Sequence, residues 1–148
     1  MFLNRPAELI EQRLTALQPQ IEAACQAHAA INSSQSAPEV LSIAEQVTAM
    51  ARQALAHDRI CDGQVCEFHT SLDALMHRAD RLLREARDRA IRALQPGSRG
   101  PHISAAQNNE AYGNVATLEG FVGTVKSLAY YSLSAALLCS DTVADPPA

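Results

Sequence analysis

The sequence predicts an all-α fold, an antiparallel up-down-up-down four-helix bundle formed as a single helical domain over residues 1-148. Alanine occurs 27 times while tryptophan is absent and Phe and Tyr are few, a bias toward helices and close helix contacts rather than aromatic-rich sheets. Apolar residues recur at three- and four-residue spacing through four long segments, the period of a helix that buries one face. The connections between those segments are short, which makes consecutive helices antiparallel neighbours. At 148 residues the chain has the size of one ordinary domain and can bury a core without disulfides or metal as staples.

The first segment, 6-31, carries Ile10, Leu14, Leu17, Ile21, Ala24, His28 and Ile31 on one seam. Pro6 suits a first helical turn and Asn4 stands where a cap belongs. Pro19 removes a backbone hydrogen bond and crowds the preceding turn, so a kink or split near residues 15-18 is expected. The second segment, 37-57, opens with Ser36 and Glu39 in capping-box spacing and Pro38 in the first turn. Its seam is Val40, Ile43, Val47, Met50 and Ala54. After the turn at Asp62-Gly63 comes the third segment, 64-94, with Phe68, Leu72, Leu75, Ala79, Leu82 and Ala86 buried and Pro96-Gly97 beyond its end. The fourth, 104-140, contains the weak helix formers Asn108 and Asn109, so it is expected to become firm near Tyr112. Residues 141-148 are expected to form a mobile tail.

The fourth segment has two small or apolar faces. Val115, Leu118, Val122, Val125, Ala129, Ser132 and Ala136 form one stripe, and Gly113, Ala116, Gly120, Gly123 and Ser127 form another on nearly the opposite side. Glycine inside a helix costs roughly 1 kcal/mol relative to alanine, so the second stripe predicts a compensating close approach of another helix backbone. A neighbour in the same chain is the favoured candidate, with a homodimer or a partner helix as the other.

Net charge is −4, and seven of the twelve basic residues lie between Arg78 and Arg99. Asp80 with Arg84, Glu85 with Arg89, and Asp88 with Arg92 are acid-first pairs four residues apart, which predicts a salt-bridged, solvated face. Arg78, Arg81, Arg87 and Arg99 are less compensated and are candidates for contact with an acidic protein surface. Nucleic-acid binding through this helix ranks last, because no aromatic platform is interleaved with the arginines. No basic stretch, apolar run and small-residue cleavage site occur in order, so no secretory signal is expected and the starting compartment is the cytoplasm. Lys126, the serines and the glycines make the fourth segment a poor bilayer helix, and no membrane partner is expected.

His57, Cys61, Cys66 and His69 fall around the Asp62-Gly63 turn and have the ligand types of a tetrahedral zinc site. Their spacing matches no standard finger, and a surface turn with two separate thiols and two solvated histidines is the favoured reading. His69, Asp73 and His77 share one helical face that is expected to be solvated. His28 is expected to be a core or interface histidine with one hydrogen-bond partner, and Cys25 and Cys139 to be small buried hydrophobes. No Walker or dinucleotide glycine loop, no Gly-x-Ser-x-Gly elbow and no His-Glu-x-x-His occurs. The expected function is therefore a non-enzymatic helical-bundle interaction module, such as an adaptor, chaperone, inhibitor or accessory factor, without a cofactor. The alternative is a zinc-binding or thiol-based sensor.

Overall fold

The computed structural model describes residues 5–32, 38–56, 62–94 and 105–144. These form four helices, α1 (Arg5–Asn32), α2 (Pro38–Leu55), α3 (Asp62–Ala93) and α4 (Ala105–Ala144), with no strand among the described residues. The arrangement is the expected antiparallel four-helix bundle. Its directions can be read from side-chain ties between the helices. Arg87 of α3 reaches Glu119 of α4 at 3.2 Å and Asp80 reaches Lys126 at 3.0 Å, so numbering rises along one helix as it falls along the other. Arg89 of α3 donates to the Asn32 side chain at the end of α1, which sets those two helices parallel.

One continuous apolar cluster contains buried residues from all four helices. The seam positions of α2 and α3 are buried as their spacing requires, Val40, Ile43 and Val47 on one and Leu72, Leu75 and Ala79 on the other. α4 touches each of the other three helices, and its inner face buries Leu118, Phe121, Val122, Val125 and Leu128. A fully buried side chain of this size contributes about 1.5–3 kcal/mol, so this face is a large part of the favourable side of folding. Ser132 also sits on it with no exposed surface. Its hydroxyl is satisfied within the helix, donating to the Leu128 carbonyl at 2.7 Å.

Three local expectations change. Of the kink or split expected near Pro19, the split does not occur: α1 runs through it as one helix. Pro19 and Thr15 are both exposed, so water has access to the turn in which proline supplies no N–H for the Thr15 carbonyl. α4 begins at Ala105 and includes Asn108 and Asn109; their weak propensity costs only a few tenths of a kcal/mol each against a long packed helix. At its other end α4 continues to Ala144, so residues 141–144 belong to the helix and not to a tail. The proposed caps at Asn4 and Ser36 lie outside the described residues.

The largest correction concerns the small-residue stripe. Gly113, Ala116, Gly120 and Gly123 are exposed and Ser127 is half-buried, so among the described residues no helix packs its backbone against them. A methyl group added at Gly113 or Gly123 would meet nothing within 4 Å, and one at Gly120 would meet only the end of the Gln20 side chain at 3.9 Å. The periodicity located the stripe correctly on the wheel, but the bundle has spent its three neighbours on the opposite face of α4. Gly123→Ala is therefore expected to raise folding stability by about 0.5–1 kcal/mol, through helix propensity alone, in urea melts at low micromolar concentration. A loss of stability in that experiment would place a neighbouring backbone over the glycine.

Candidate functional site

Two surface regions stand out once the core is accounted for. The first is a polar cleft where the end of α1, the start of α2 and the middle of α3 meet. Glu39, Ser42 and Gln46 lie three and four residues apart on α2, a single stripe that one long side chain can span. Arg78 of α3 spans it. Its Nε and Nη2 donate to the two Glu39 carboxylate oxygens at 2.6 and 3.0 Å, its Nη2 also donates to Ser42 Oγ at 2.8 Å, and its Nη1 donates to Gln46 Oε1 at 3.2 Å. The paired guanidinium holds the Glu39 carboxyl below its ordinary value and Glu39 in turn raises Arg78.

His28 lines the same cleft, beside Glu39 and Glu85. Its Nδ1 is buried without a hydrogen-bond partner among the described residues. Burial lowers its pKa, and Arg89 adds to the effect; Glu39 and Glu85 act in the opposite direction. The cleft therefore contains both carboxylates and guanidiniums around a neutral imidazole. Asn32 closes it by donating to the His28 backbone carbonyl at 2.9 Å and accepting from Arg89.

The second region is apolar. α3 and α4 leave a groove of about 200 Å³ lined by Ile91, Leu94, Ala111, Tyr112 and Val115, with the Arg87–Glu119 ion pair at its edge. Ile91 is 57 % exposed and Tyr112 62 % exposed. From Tyr112 the outward face of α4 continues through Ala116, Gly120 and Gly123 to Tyr130, which is 63 % exposed, and Leu137, which is 47 % exposed. The spacing signal identified the small residues of this face but passed over the tyrosines, because both fall between the two stripes. Tyr112 and Tyr130 are eighteen residues apart, about five turns of a helix, and that repeat was the available signal.

The other sequence candidates distribute differently. Arg78 and Arg87, expected to be available to a partner, are both engaged within the chain, with Glu39 and Glu119 respectively. Arg81 lines the polar cleft, and Arg99 lies outside the described residues. Asp80 and Arg89, which the spacing pairs within α3, instead reach Lys126 and Asn32 on other helices. His57, Cys61 and the side chain of Cys66 lie outside the described residues, as does the side chain of Cys139, while His69 is exposed. Among the described residues no group of three or more His, Cys, Asp or Glu side chains could hold a metal ion. His77 is exposed and its Nδ1 lies 2.8 Å from the Asp73 carbonyl, which fits the solvated face expected for this row. Cys25 is half-buried, and burial together with the neighbouring Glu22 pushes its thiol up, away from thiolate chemistry. No described helix is long and apolar enough to cross a membrane.

No family model, curated protein or solved structure matches the chain.

The polar cleft has two measurable consequences. His28 has a folded pKa below its unfolded value near 6.5, so the unfolded chain takes up the proton first and stability falls as pH drops below about 6.5. The stability difference between wild type and His28→Gln, measured by urea melts at several pH values, is expected to shift against the wild type across that window. A difference independent of pH would remove His28 from the balance. Arg78→Met is expected to cost about 1–2 kcal/mol at neutral pH, because four charge-assisted contacts are lost at a partly exposed site. The Glu39 part of this cost is complete above about pH 4.5 and is lost below it, as pH falls through the depressed value of the carboxyl in the fold. Equal costs at pH 7 and pH 3 would show that the ion pair contributes nothing.

Proposed function

We propose that this chain is a non-enzymatic protein-interaction module whose docking surface is the outward face of α4 together with the groove that α4 forms with α3. The observation that carries this reading is the exposure of Tyr112, Tyr130, Ile91 and Leu137 along one continuous strip. Large apolar side chains lined up in this way on a small domain mark a binding surface more often than a solvated one. The glycines between the tyrosines support the same reading. They cost helix stability, and among the described residues only the tip of the Gln20 side chain comes within 4 Å of where a side chain at Gly113, Gly120 or Gly123 would start. A helix from a binding partner could approach the α4 backbone closely there, with tyrosine rings closing over both ends of the contact.

The partner this surface fits is the apolar face of another helix. Arg78 and Arg87 are already ion-paired within the chain, which reduces what these two can contribute to neutralising phosphates and releasing the counterions of a polyanion. Capture from the native host with the wild-type chain and with Ala116→Arg tests the proposal, because residue 116 is exposed and its replacement leaves the core untouched. A partner, or untagged copies of the chain, retained by the wild type is expected to fall roughly tenfold or more with Ala116→Arg and with Tyr112→Ala. Equal recovery by folded wild type and both variants would overturn this placement of the surface.

A further inference from the structure

We propose that the occupant of the α4 face is the α4 face of a second copy, packed antiparallel about a two-fold axis at the level of Phe121 and Val122. This rests on the interaction reading above and specifies its partner. A two-fold interface must be complementary to itself: whatever lies a given distance on one side of the axis meets what lies the same distance on the other.

The exposed face of α4 meets that condition along its length. Gly120 and Gly123, Ala116 and Ser127, and Gly113 and Tyr130 are three pairs with the same midpoint, between residues 121 and 122. Around that midpoint Gly120 faces Gly123 of the second copy, and the two backbones can come close where neither carries a side chain. Moving outward, Ala116 faces Ser127. Then comes the larger residue, with Tyr130 of each copy level with Gly113 of the other.

The tyrosines give a second, independent match. Tyr112 and Tyr130 share one azimuth on α4, about five turns apart, and have nearly the same midpoint. Antiparallel pairing therefore brings Tyr112 of each copy to within about one residue rise, roughly 1.5 Å along the axis, of Tyr130 of the other. Within one chain Tyr130 meets the Tyr131 ring edge-on at 5.6 Å and still leaves most of its surface exposed, as Tyr112 does; in two copies the rings of Tyr112 and Tyr130 cover each other. The pairing is large at both ends and small in the middle, a profile that a helix with an unrelated sequence would have to reproduce by chance.

Charge follows the same symmetry. Glu119 and Lys126 lie on the flank of α4 that faces α3, where they bind Arg87 and Asp80. A two-fold axis of this kind brings the same flank of each copy together. Glu119 of one copy then lies about 3 Å along the axis from Lys126 of the other. The sequence of charges across the junction becomes Arg87, Glu119, then Lys126 and Asp80 of the second copy, alternating in sign at every step. Parallel pairing about a two-fold along the helices would place these flanks on opposite sides of the seam and would form no such alternation.

Sedimentation equilibrium of the full chain tests the pairing. The wild type is expected to be a dimer by on the order of 100 μM, and Ala116→Glu and Ser127→Arg are each expected to weaken association roughly tenfold or more. Because residue 116 faces residue 127 of the other copy only in this register, the double substitution Ala116→Glu with Ser127→Arg is expected to restore the dimer. Circular dichroism melts below the dimerisation range confirm that each variant is folded. A wild type that stays monomeric overturns the second copy as occupant, while the capture experiment separately decides whether the face binds any other helix. A dimer insensitive to both single substitutions places association elsewhere and overturns the pairing and the surface together. A double variant that stays monomeric overturns the antiparallel register.

Discussion

The packing of α4 against all three other helices at once is the constraint from which the rest of the molecule follows. Phe121 has no exposed surface, and Leu118, Val122, Val125 and Leu128 around it are buried on the same side. Because that side takes up the three other helices, none of them is left for the opposite side of α4, and the exposed tyrosines and glycines are a direct consequence. A helix at the centre of the contacts is thus also the one with the barest outer face. Such a face is tolerated in an isolated chain only at the cost of its glycines, roughly 1 kcal/mol each relative to alanine.

The division between local and long-range charge contacts is the second organising fact. On α3 the acidic and basic residues are spaced to pair within the helix, yet Asp80 reaches α4 and Arg78 reaches three positions on α2. Pairs four residues apart contribute only a few tenths of a kcal/mol. A guanidinium that satisfies a carboxylate, a hydroxyl and an amide at once gains more, and it does so while fixing the distance between two helices. The ionic contacts therefore act chiefly between elements and not along them. His28 sits where this network meets the end of α1, its pKa lowered by burial and its Nδ1 without a hydrogen-bond partner among the described residues.

Much of the fold could be read from spacing, because burial of a helix face repeats every three to four residues. Val40, Ile43 and Val47, Leu72, Leu75 and Ala79, and Leu118, Val122 and Val125 are all buried as their periods require. The same rule locates a face on a wheel without saying which neighbour fills it. That is why Gly113, Gly120 and Gly123 were assigned a covering helix that the chain does not supply. Pro19 illustrates a different limit: its effect depends on whether the orphaned carbonyl points to water, which is a property of the bundle. Arginine partners were the least legible, since a side chain of that length can choose among helices that are distant in sequence. The tyrosines of the α4 face were equally hidden, as their relation appears only when positions five turns apart are compared.

The two ties between α3 and α4 also determine how the helices can slide. Asp80 and Arg87 are seven residues apart, and so are Glu119 and Lys126. Apolar seams that repeat about every seven residues tolerate a slip of that length, since one layer replaces another. The charges do not. A seven-residue slip in one direction would set Asp80 against Glu119, and in the other direction Arg87 against Lys126. Each misregistered assembly would exchange an attraction for a like-charge encounter, so a chain searching for its packing meets resistance on both sides of the correct alignment.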